Sequence, residues 1–179
     1  MSFKPIMEED IPATPDFVQQ VWHWIRLLDF KVAVLKDLSD NSYIFIFITE
    51  NSPDLIFGIN GEGKLATIYS NILTELTENI SQELGYIFLK KALNLQISYP
   101  RLRINILDAD NAPVRILSNF KMKNLNMEFF AELILEGVDY LSKLNELLVG
   151  LKLPEIWRKA EGEEEKIEDK QQFNIFQYS

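Results

Sequence analysis

A chain of 179 residues with 47% hydrophobic content can bury one proper core and is short for two. Its formal charge of −9 opposes general attraction to nucleic acid or anionic lipid, and the absence of cysteine removes disulfides, thiolate nucleophiles and Cys-ligated metal sites. No stretch approaches the roughly 18 apolar residues of a membrane span, and Glu8, Glu9 and Asp10 stand where a signal peptide would be basic and then apolar, so a cytoplasmic protein without a membrane partner is expected.

Thr14 as N-cap and Pro15 at the first helical position predict a helix whose apolar arc holds Phe17, Val18, Val21, Trp24, Ile25 and Leu28, with Trp22 at its border. Asp16, Gln19, Gln20, His23 and Arg26 lie opposite. Residues 31–36, 43–49, 55–60 and 64–69 follow as strands, separated by short runs rich in Ser, Asp, Asn, Pro and Gly, so an antiparallel meander is predicted. Residues 43–48 are apolar on both faces, which suits a central strand covered on each side, yet no second cover is evident in the chain.

A middle helix is predicted over residues 79–95, and Pro100 returns the chain to extended form. Residues 101–106 alternate polar and apolar, residues 108–113 carry turn chemistry, and residues 114–119 return as a second strand. Asn126 is placed to cap a long helix, with Leu125 and Phe130 at the positions of a hydrophobic staple. The apolar arc of that helix covers almost half its circumference, with Gly137 near its centre, where a missing side chain permits close backbone approach. Glu128, Glu132, Glu136, Asp139 and Glu146 gather on the other face with Lys143, as a solvated surface or a docking stripe for a basic partner.

One α+β domain is therefore predicted over residues 1–157, an antiparallel sheet packed against helices. Residues 158–179 form an acidic linker and an aromatic tail. In that tail, residues 172–178 alternate apolar and polar but for the Ile175-Phe176 step, and carry Phe173, Phe176 and Tyr178. They read as a terminal strand for the protein's own sheet edge, or as a linear motif adding to a partner or to a second copy.

Catalytic constellations are missing from the pattern. His23, the only histidine, falls on the polar side of its helix, and no nucleophile elbow or phosphate loop accompanies it. The glycines at 58, 61 and 63 fit a hairpin turn, because no Lys-Ser/Thr follows them. Asp108 and Asp110 lack the glycine and terminal glutamate of a calcium loop. No enzyme activity, metal or other cofactor is expected.

Leu93-Asn94 ending a helix, a strand at 101–107, an acidic turn at 108–111, a strand at 114–119 and the pattern Phe129-x-x-x-Leu133-Ile134-x-x-Gly137-Val138-x-x-Leu141 follow in order. With these, residues 87–144 resemble the YbjN-like and type III secretion chaperone-like fold group. The resemblance implies a small acidic protein that binds an extended or amphipathic segment of another protein, sometimes as a homodimer, without nucleotide or metal. An additional early strand and the aromatic tail make the YbjN-like comparison the nearer one.

The expected function is a non-enzymatic chaperone or assembly adaptor with one protein partner. Trp22, Trp24, Phe45 and Phe47 are its candidate groove residues, set against plain core packing. The alternative is a regulatory or structural subunit of a stable oligomer held through Phe173, Phe176 and Tyr178.

Overall fold

Alternating apolar residues build one antiparallel sheet, to which three helices bring their apolar arcs. The computed structural model describes residues 2–49, 54–73, 82–106 and 114–151. The strands are β1 (Phe3–Pro5), β2 (Val32–Asp37), β3 (Tyr43–Phe47), β4 (Leu55–Ile59), β5 (Leu65–Leu73), β6 (Arg103–Ile106) and β7 (Val114–Lys121), and the helices are α1 (Asp16–Leu28), α2 (Gln82–Gln96) and α3 (Met127–Gly150). The sheet order is β1-β2-β3-β4-β5-β7-β6, with every neighbouring pair antiparallel. The predicted α+β architecture and the meander of β2 to β5 are both present. The acidic turn at 108–113, the domain boundary at 157 and the tail with Phe173, Phe176 and Tyr178 lie outside the described residues.

Two features at the N-terminal end differ from the sequence expectation. The short strand β1 pairs with β2, where Pro5 is tolerated because an edge strand can spare an N–H. A 3₁₀ segment, Glu8–Ala13, then precedes α1. The Thr14 hydroxyl donates to the Ile11 carbonyl at 2.6 Å and closes that turn, so it does not cap the helix. Pro15 takes the N-cap position, and its carbonyl accepts from the N–H groups of Val18 and Gln19. The helix ends where Asp29 adopts a left-handed conformation with φ 56°.

The predicted cap of α3 is in place. The Asn126 side chain accepts from the Phe129 N–H at 2.8 Å, satisfying one of the helix's unpaired first-turn donors. Phe130, Leu133, Ile134, Gly137, Tyr140, Leu141, Leu144 and Leu148 are all buried. The wide arc is used in full, because α3 meets β4, α1 and α2 together. Phe130 is the hub, with ring centroids 5.4 Å from Trp24, 6.4 Å from Phe47 and 5.2 Å from Phe57. The Tyr140 hydroxyl donates to the Ala92 carbonyl at 3.1 Å and ties α3 to α2.

Gly137 sits where α3 crosses the sheet. A Cβ there would stand 2.7 Å from Leu55 Cδ2 and 3.5 Å from Ile68 Cδ1, closer to Leu55 than a core side chain tolerates. Gly150, by contrast, has nothing within 4 Å of its would-be Cβ. Gly137→Ala should lower stability by up to about 2 kcal/mol, since displacing the fully buried Leu55 costs about 1–3 kcal/mol against the roughly 1 kcal/mol gained in helix propensity. Gly150→Ala should be neutral or stabilising. Urea unfolding of both variants checks the pair, and equal effects would refute the close approach.

Candidate functional site

Strand pleating sends successive side chains to opposite faces, and the two faces of this sheet meet different surroundings. Val32, Phe45, Phe47, Leu55, Phe57, Ala66 and Ile68 are each fully buried under the helices. Their neighbours in sequence point the other way. Ala33, Ile46, Ile56 and Tyr69 are register partners in one rung, and Leu35, Ile44, Gly58 and Thr67 form the next. All are only half-buried, and none of the apolar ones belongs to the core or packs against it. Leu65, on the same side of β5, is 51% exposed. The central strands thus present an apolar face that no described helix covers.

The detail of that face follows from its small residues. Gly58 leaves a dip between Ile44 and Thr67, and the Tyr69 ring leans toward it, with Cε1 3.8 Å from the position a Gly58 Cβ would take. Polar groups lie toward the β7 side, where the Thr67 hydroxyl donates to Asn119 Oδ1 at 2.8 Å. Arg103 and Lys121, both exposed, follow on the same side of the sheet by register. Lys121 pairs with Leu65 at the end of the face. A hollow of about 490 Å³ opens there, lined by Lys64, Lys121, Lys123, Glu62, Asn60 and Leu65.

The residues expected to form a groove lie elsewhere. Trp22 and Trp24 are 5% and 7% exposed, and Phe45 and Phe47 are fully buried, so all four pack in the core around Phe130 and its neighbours. Of the two readings weighed for them, this burial matches core packing. Ile44, Ile46, Ile56, Leu35 and Tyr69 hold the open face instead. The signal for it was the doubly apolar run at 43–48, whose second cover could not be found in the sequence.

The other apolar feature is narrower. Tyr86 and Leu93 are exposed on α2, and Ile97 just past its end. His23 is exposed on α1, and among the described residues no group of three potential metal ligands occurs. No described helix is long and apolar enough to cross a membrane.

The acidic stripe of α3 is largely engaged by its own chain. Arg101 forks onto Glu132 and Glu136, with its guanidinium 5.5 Å from the Phe129 ring centroid. The Tyr99 hydroxyl donates to Asp139, while the Lys143 ammonium reaches both the Tyr99 oxygen at 2.5 Å and Asp139 at 2.9 Å. Three of the five carboxylates therefore hold the segment between α2 and β6 against α3. No protein-family model and no curated protein matches the sequence.

This cluster carries a pH signature. The hydrogen bond from Tyr99, and then that from Lys143, hold the Asp139 carboxyl below its ordinary 3.8. A carboxylate lowered on folding adds stability above its unfolded value and loses it as the pH falls through the folded one. Asp139→Asn should cost less than about 1 kcal/mol at pH 7, because the side chain is 55% exposed. Urea midpoints should show that gap at pH 7 and its closure as the pH falls below the ordinary carboxylate value of 3.8 and through the lowered one. A gap that persists in acid would assign the loss to packing.

Proposed function

We propose that this protein is a non-enzymatic binding module, a chaperone or assembly adaptor, which holds an extended apolar segment of another protein on the open face of its sheet. The uncovered rungs around Ile44, Ile46 and Ile56 carry the reading. An apolar centre flanked by polar and charged groups is the usual anatomy of a recognition surface. Full burial of one such side chain contributes about 1.5–3 kcal/mol, so completing the burial of several half-covered ones supplies useful affinity. The likeness of residues 87–144 to YbjN-like and secretion chaperone-like proteins supports the same reading. The chemistry needs no metal or nucleotide, only a complementary strand or helix face.

Arrayed peptides with alternating apolar residues provide the test. They should bind above scrambled polar controls, and the double variant Ile46→Lys/Ile56→Glu should weaken binding at least about tenfold, which corresponds to about 1.4 kcal/mol. Because the two positions are cross-strand partners, opposite charges there are compatible with the sheet, and the unfolding midpoint should hold. Retained affinity in the double variant, or no preference for apolar peptides, would contradict the proposal.

A further inference from the structure

The open face has a candidate occupant within the same chain. We infer that residues 172–178, which carry Phe173, Ile175, Phe176 and Tyr178, dock in cis on the face formed by Leu35, Ile44, Ile46, Ile56 and Tyr69, and that a partner segment must displace them. This inference rests on the binding reading given above and names the site's resting ligand.

Three observations support it. The first is chemical match: the face is apolar at its centre, and residues 172–178 bring four large apolar side chains. The second is charge. Residues 161–170, the part of the linker next to them, hold Glu161, Glu163, Glu164, Glu165, Glu168 and Asp169 against Lys166 and Lys170, with Arg158 and Lys159 further back. The β7 end of the face offers the opposite sign, with Arg103 on the sheet and Lys121 and Lys123 lining the hollow beside Leu65, where Lys64 is paired with Glu62 at 2.6 Å. An acidic tether leading to an aromatic segment thus meets a basic hollow leading to an apolar face.

The third is reach. Residues 152–171 span up to about 66 Å when extended. The seven-stranded sheet is about 30 Å wide at its usual strand spacing. A link of that length suffices to run from the end of α3, on the covered side, around a sheet edge to the open side. Covalent connection also favours cis over trans, because a segment on the same chain is held at an effective concentration of about a millimolar, far above that of a second copy in dilute solution.

The chain's lack of cysteine makes the test clean, since a nitroxide on Ser179→Cys is the only label. In the dilute full chain it should broaden the methyl signals of Ile44, Ile46 and Ile56 while sparing Ile97, and Phe173→Ser/Phe176→Ser should restore them. Absent broadening overturns the inference. So does broadening that appears only when labelled and isotope-enriched chains are mixed, which assigns the segment to a second copy. Ending the chain after Lys170 separates this inference from the binding reading. The shortened chain should bind the apolar peptides at least about tenfold more tightly than the full chain. Equal binding by both sinks the resting ligand and leaves the binding face standing, whereas no binding by either sinks the binding face itself.

Discussion

A sheet that is apolar on both faces needs two covers, and the described helices supply one. The choice of face is set by α3, because Phe130 can meet Trp24, Phe47 and Phe57 together only on the side to which those strand residues point. Gly137 then brings the helix down onto Leu55 and Ile68, and Tyr140 fixes α2 beside it through Ala92. With α1 on the same side, Trp22, Trp24, Phe45, Phe47, Phe57 and Phe130 are committed to one layer. The alternate register, with Leu35, Ile44, Ile46, Ile56 and Tyr69, is left facing outward. That partition is the physical origin of the candidate site.

Charge is partitioned as well. A net charge of −9 suggests an acidic surface ready for basic partners, yet the carboxylates of α3 are largely engaged by Arg101, Tyr99 and Lys143. Those contacts serve packing, anchoring the chain between α2 and β6. The open face, meanwhile, has basic residues at its β7 end. Apolar centre and basic flank together favour an extended segment with apolar side chains and neighbouring acidic residues, a description that fits a partner and the chain's own tail alike.

Much of the fold was legible from local rules. Apolar runs between turn-rich segments located β2 to β5, Asn126 marked the start of α3, and Gly137 announced a close approach that the structure places against Leu55. The N-terminal elements were harder, because β1 is three residues long and contains a proline, and Thr14 serves the preceding turn through a hydrogen bond that capping rules do not anticipate. The site was legible only in part. Period-two spacing separates Phe45 and Phe47 from Ile44 and Ile46, but it does not say which set receives the helices. An aromatic side chain has the same local pattern in a core and in a groove, so sequence alone does not separate the buried Trp22, Trp24, Phe45 and Phe47 from residues of an open face. The deciding fact, where α3 lands, is a long-range contact absent from any short window of sequence.

Isoleucine methyl spectra recorded while an alternating apolar peptide is added test the binding face most directly. The account predicts saturable shifts at Ile44, Ile46 and Ile56, with Ile25, Ile68 and Ile134 unmoved in the core beneath the helices. Shifts centred on Ile97, just past the end of α2, or no shifts at a saturating peptide concentration, would contradict it.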